Sequence, residues 1–135
     1  MTDSEFKPFV GMWLTSPAGL VACAKVINGE LLIPYARSGE RRLAGHFYEC
    51  RVEEKTLFGR FKRFASGELG VFTLAVGEIH TLKGGWWTEA KLPVRVRRDV
   101  RLADAKLPGM IKDVWVRMPK AKTPAWAAQY FLEWP

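Results

Sequence analysis

The chain has 135 residues, 48% of them hydrophobic and 13% aromatic, with a formal net charge of +7. That length supports a single domain, 1–135, with one substantial core, and the composition excludes a disordered chain. No apolar run approaches the roughly 20 residues of a helical membrane span, and two cysteines, Cys23 and Cys50, exclude a disulfide framework.

Residues 1–8 are polar and read as a loose lead-in without a basic-then-apolar secretion segment, so a cytoplasmic protein with reduced thiols is expected. Residues 9–14 form a first strand, and Ser16-Pro17-Ala18-Gly19 ends it with turn residues. The short apolar run 20–27 is a second strand. Asn28-Gly29 follows, the pair that a type I′ hairpin turn demands, because both of its central residues need positive φ. Glu30–Tyr35 is the returning strand, and Pro34, which cannot donate to a ladder, marks a bulge or an edge. Turn signals at 37–40, 53–55, 66–68 and 77–78 then delimit strands over 42–51, 56–64, 69–76 and 79–88.

Within this meander (9–88) one pattern recurs: apolar, any, Gly, any, aromatic. It appears as Phe9-Val10-Gly11-Met12-Trp13, Leu43-Ala44-Gly45-His46-Phe47, Leu57-Phe58-Gly59-Arg60-Phe61 and Leu82-Lys83-Gly84-Gly85-Trp86. Side chains alternate faces along a strand, so the apolar residue, the glycine and the ring share one face. A glycine inside a strand implies a bend or a large neighbour lying over bare backbone. Repeated in one frame, it points to a small, strongly curved sheet that closes on itself.

The composition changes after the meander. Residues 91–122 hold ten Lys or Arg against Asp99, Asp104 and Asp113, so this segment alone carries a net +7. Leu92, Val96, Val100 and Ala103 form a helical stripe behind Pro93 at a first-turn position. Val94, Val96, Val100 and Leu102 fit a strand nearly as well; a short helix is preferred. Residues 112–118 read as an eighth strand. Thr123-Pro124 is a cap-plus-first-turn pair for a closing helix over 124–133, whose Trp126, Tyr130 and Trp134 form a stripe to lay on the sheet.

The expected fold is therefore mainly β: an eight-stranded antiparallel up-and-down barrel, with a short helix before the last strand and a C-terminal helix. At this point the chain resembles the calycin group of lipocalins, fatty-acid-binding proteins and avidin-like barrels. Gly11-Met12-Trp13 looks like the Gly-x-Trp of lipocalins, and the later Gly-x-aromatic copies look like the strands of avidin-like barrels. The resemblance spans 9–88 and 112–118, and it implies a small, largely apolar molecule held inside the barrel.

The residues themselves give a ring-lined interior, which is either a filled core or an open pocket. Trp13, Phe47, Phe61 and Trp86 share the motif face, and alternation adds Phe72, Leu74, Ile33 and Tyr35. Glu49 and Arg63, two residues beyond Phe47 and Phe61, continue that face. Buried charge is costly unless it is paired or meets a ligand or water, so this pair either lies solvated at the barrel rim or orients a polar head, with Arg63 holding a carboxylate. The expected ligand-binding set is Trp13, Tyr35, Phe47, Glu49, Phe61, Arg63, Phe72 and Trp86. The ligand is a small apolar or amphipathic molecule, and no cofactor is called for. His46 and His80 are too few for a usual three-ligand metal site, and His46, Tyr48 and Cys50 fall on the opposite, outer face.

Two other classes are carried. The basic segment beside Trp115 and Trp126 could serve nucleic acid or an acidic protein partner, phosphates supplying affinity and rings supplying stacking, although no nucleic-acid motif accompanies it. Some calycin-like barrels are enzymes with a cavity tyrosine, Arg and Glu, a set that Tyr35, Glu49 and Arg63 could imitate.

Overall fold

The computed structural model describes residues 3–104 and 106–134. Eight antiparallel strands follow one another in chain order and close into a barrel: β1 (Gly11–Ser16), β2 (Leu20–Ile27), β3 (Glu30–Arg37), β4 (Leu43–Glu53), β5 (Thr56–Arg63), β6 (Leu69–Val76), β7 (Thr81–Thr88) and β8 (Ile111–Arg117). The seam is the β1–β8 pair, in which Trp13 meets Arg117 and Thr15 meets Trp115. Closure removes the unpaired edges that a meander of short strands would otherwise expose.

Local chemistry sets the turns. Asn28 and Gly29 have φ of 50° and 80°, and the hairpin pairs Ile27 with Glu30, as a type I′ turn requires. Glu54 and Lys55 also have positive φ, between Glu53 and Thr56. The irregularity expected near Pro34 falls one bond on, between Tyr35 and Ala36. The lead-in is more ordered than expected: from Asp3 it makes two short 3-10 turns, Asp3–Glu5 and Lys7–Phe9, while residues 1 and 2 lie outside the described residues. Phe6 and Phe9 are buried in the barrel core and stopper one end, where the Trp13 indole donates to the Phe9 carbonyl at 2.9 Å.

All four motif copies face inward. Bare backbone lies under rings at two of them: a Cβ at Gly45 would collide with the Tyr35 hydroxyl and the Lys62 carbonyl, and one at Gly59 would come within 2.6 Å of the Phe72 ring. The interior core gathers Trp13, Leu31, Ile33, Tyr35, Phe47, Leu57, Phe61, Phe72, Leu74, Leu82 and Trp115.

Two clusters coat the outside. Residues 89–103 form two 3-10 turns around the helix α1 (Val94–Arg98). The predicted stripe of Leu92, Val96, Val100 and Ala103 is the buried one, packed on Phe58, Val71 and Trp87. Leu92, Val96 and Val100 each contribute about 1.5–3 kcal/mol by leaving water, and the Ala103 methyl under about 1 kcal/mol. The helix ends because Asp99 turns extended, and its carboxylate accepts from the Arg101 amide to start the next turn.

The helix α2 (Ala125–Glu133) begins one residue later than expected: Pro124, not Thr123, is the cap residue, and it offers no side-chain cap. Its contact stripe is also turned. Ala127 and Phe131 are buried against Met12, Cys23 and Leu32, whereas Trp126, Tyr130 and Trp134 flank them, half-buried. A small alanine lets the helix axis approach the sheet, and the larger rings then fit only at its margins. No helix among the described residues is long and apolar enough to cross a membrane.

Candidate functional site

The end of the barrel opposite Phe6 and Phe9 is open. Behind that mouth lies a cavity of about 1020 Å³, at the upper end of the range of small-molecule sites. Phe47, Phe61, Phe72, Leu74, Trp86 and Trp115 form most of its apolar wall, and Tyr35, Arg37, Glu40, Arg42, Arg63 and Asp113 supply polar groups.

Six of the eight expected residues, Tyr35, Phe47, Phe61, Arg63, Phe72 and Trp86, line this cavity. The rings pack on one another edge-on or tilted: Tyr35 and Phe47 are 5.1 Å apart between centroids, Phe47 and Phe72 4.9 Å, and Phe61 and Trp86 5.6 Å. Such contacts hold ring orientations and so keep the wall in shape. The Arg63 guanidinium lies 4.7 Å over the Trp86 ring and 3.0 Å from the Glu68 carboxylate. Its side chain is 43% exposed, which places it at the mouth and not in the depth. The Tyr35 hydroxyl sits nearby, reaching the Lys62 carbonyl at 3.4 Å. Burial pushes the Tyr35 pKa up, and the neighbouring Arg63 charge opposes that.

The other two expected residues lie elsewhere. Trp13 is deeper, at the stoppered end, 1% exposed and covered by Arg117. Glu49 is a correction: it stands outside the barrel, 65% exposed, and pairs with Arg60 at 2.9 Å. The cause is a bulge. Tyr48 pairs with Arg60 and Arg51 with Phe58, so three steps on β4 answer two on β5. Glu49 takes the extra step in a left-handed conformation, φ 51°. The same bulge turns Cys50 inward, against the interior cluster and away from the face of His46 and Tyr48, and burial pushes its thiol pKa up. The expected trio of Tyr35, Glu49 and Arg63 is therefore divided between the inside and outside of the sheet.

Among the lining residues outside the expected set, which include Arg37, Arg42 and Trp115, Asp113 is the buried ionisable one. It was counted only among the acids of the basic segment, although alternation from Trp115 along a predicted strand places it on the inner face. Its side chain is 5% exposed. The Ala18 amide, the Trp115 indole and the Thr15 hydroxyl favour its ionised form, but burial outweighs them and raises its pKa. Oδ1 is shielded from water and accepts no hydrogen bond among the described residues.

The rings and several cations of the basic segment are engaged within the fold. Trp115 is buried in the barrel wall, with no free face for stacking, and Trp126 is half-buried on α2. Arg101 is tied to Asp99 and Glu53, Arg97 to the Leu92 carbonyl, and Arg117 to the chain before β1. His46 is on the outer face, its Nδ1 2.6 Å from the Tyr130 hydroxyl, and His80 is exposed on the β6–β7 turn.

No protein family, curated protein or solved structure matches the chain. The closed eight-stranded antiparallel barrel is consistent with a calycin-like fold, and functional inference rests on the site itself.

Proposed function

We propose that this protein binds a small, largely apolar molecule inside its barrel, with an anionic head of that molecule held at the mouth by Arg63. The observation that carries this reading is the cavity of about 1020 Å³, walled by rings and open at one end. A filled interior would have argued for a structural barrel; this one leaves room for a drug-sized guest. The arginines at the mouth, Arg37, Arg42 and Arg63, favour a negative head, and a planar guanidinium can grip a carboxylate with two bonds. Glu68 holds Arg63 in place while the site is empty and would yield to a guest carboxylate.

The test is titration with dodecanoate and with dodecanol, read by the fluorescence of Trp86 and Trp115. Saturable binding of both is expected, and Arg63→Gln should weaken dodecanoate roughly tenfold while sparing dodecanol. Absence of any saturable change with either ligand would refute the reading. Mass spectrometry of molecules that co-purify under native conditions would then give the natural guest.

A further inference from the structure

We infer that Asp113 is a second polar anchor within the cavity, so that the guest carries a hydrogen-bond donor, a hydroxyl or N–H group, in addition to its apolar body. This inference rests on the cavity-binding reading and refines it by stating what chemistry the inner wall selects.

A carboxylate at 5% exposure in an aromatic barrel is costly unless its oxygens are satisfied. Here Oδ1 accepts nothing among the described residues. The Thr15 hydroxyl oxygen accepts from the Leu20 amide at 3.1 Å, fixing the β1–β2 turn, which leaves its single proton for Asp113. Of the arginines lining the cavity, Arg63 is engaged with Glu68. A hydrophobic side chain of similar size at 113 would pack the same wall without a buried charge. The position instead carries an acceptor, set among Thr15, Trp115 and Ala18 on the lining of a cavity large enough for a guest.

The geometry also separates the two anchors. Arg63 ends β5 at the mouth, whereas Asp113 lies within β8, paired with Gly84. No cation is paired with Asp113 among the described ion pairs. A guest donor brought to this carboxylate would meet a charged acceptor shielded from water, where a hydrogen bond is stronger than at the surface. An aromatic or aliphatic guest bearing a hydroxyl or N–H would thus be distinguished from its alkylated counterpart, because the latter buries Asp113 without a partner.

Matched probes test this. Equilibrium dialysis of 2-naphthol and 2-methoxynaphthalene compares one ring system with and without a donor. The intact protein should retain 2-naphthol roughly tenfold or more tightly than its ether. Asp113→Leu should abolish that preference, weakening 2-naphthol and tightening the ether, which no longer leaves a buried carboxylate without a partner. Should that variant fail to fold, Asp113→Asn keeps the shape, and the preference should fall severalfold as the charge is lost. A preference that is absent in the intact protein, or unchanged in the variants, overturns the inference while leaving the cavity reading intact. Retention of neither probe, together with silence towards dodecanoate and dodecanol, overturns both.

Discussion

The guanidinium of Arg117 lies over the Trp13 ring, 4.3 Å from its centroid, and donates to the carbonyls of Val10 and Pro8 at 2.6 and 2.9 Å. One side chain of the last strand thereby ties the first strand to the stopper at the barrel's closed end. Gly11 belongs to the same device, since a Cβ there would come within 2.6 Å of the Arg117 side chain. Arg117→Ala should cost about 2–4 kcal/mol by urea unfolding, from a cation–π contact and two charge-assisted hydrogen bonds. Arg117→Lys should recover less than half of that, because an ammonium cannot stack on the ring and fork to two carbonyls together. A loss below 0.5 kcal/mol for the alanine variant, on the order of an isolated surface contact, would contradict this role.

The glycine beneath Tyr35 gives a second expectation. Gly45→Ala forces a methyl group into the Tyr35 hydroxyl and the Lys62 carbonyl, and should destabilise the barrel by about 1–3 kcal/mol. Gly77→Ala is the control. A Cβ there meets its nearest atom, the Thr81 carbonyl oxygen, at 3.5 Å, an ordinary contact, and the change should stay within about 0.5 kcal/mol. Equal thermal shifts for the two variants would show that close approach is not what the motif glycine provides.

His46 predicts a response to acid. Its ring packs against Tyr48, Phe64, Tyr130 and Trp134, and burial, with the Lys62 charge, holds its pKa below the usual histidine value. The folded state therefore binds this proton less readily than the unfolded chain does. Stability from His46 is fully present above the ordinary histidine pKa of about 6.5 and is lost as pH falls through the folded value. Protonation also leaves Nδ1 able only to donate to the Tyr130 hydroxyl, 2.6 Å away. The urea midpoint should fall between pH 7 and pH 5, and His46→Gln should flatten that slope. An identical slope in the variant would assign the acid sensitivity elsewhere.

Asp113 has the opposite sign. Its pKa is raised, so the folded protein holds that proton more tightly than the unfolded chain. The favourable contribution is complete below the ordinary aspartate pKa and disappears as pH rises through the folded value, where the group becomes a buried charge. Asp113→Asn should raise stability at pH 7 by about 1 kcal/mol. A residue that stabilises the protein when neutralised, yet weakens donor-bearing probes, is one retained for binding. A fall in melting temperature at pH 7 would instead make Asp113 a structural acceptor.

Much of this architecture was legible in the chain. Strand boundaries came within a few residues because period-two alternation and turn chemistry are local properties, as at Asn28-Gly29. The stripe of Leu92, Val96, Val100 and Ala103 was legible for the same reason. Glu49 was not, because its bulge depends on a non-glycine residue taking a left-handed conformation opposite Gly59, which no composition cue announces. The α2 stripe was misread because ring size suggested Trp126, Tyr130 and Trp134, whereas close approach selects the small Ala127. Cavity volume was out of reach, since it depends on how rings from strands distant in sequence fail to meet. Asp113 needed only the alternation from Trp115, but the charge of its segment drew attention outward.

The seam between β1 and β8 has a kinetic corollary. Trp13 finds its partner Arg117 only after nearly the whole intervening chain is in place. Pairings so distant in sequence slow folding, because chain entropy is surrendered before the contact repays it. On a translating ribosome, β1 and β7 would each wait with one bare margin until β8 emerges. That interval is when the nascent protein is most open to pairing with a stranger's strand, and a chaperone would matter most then.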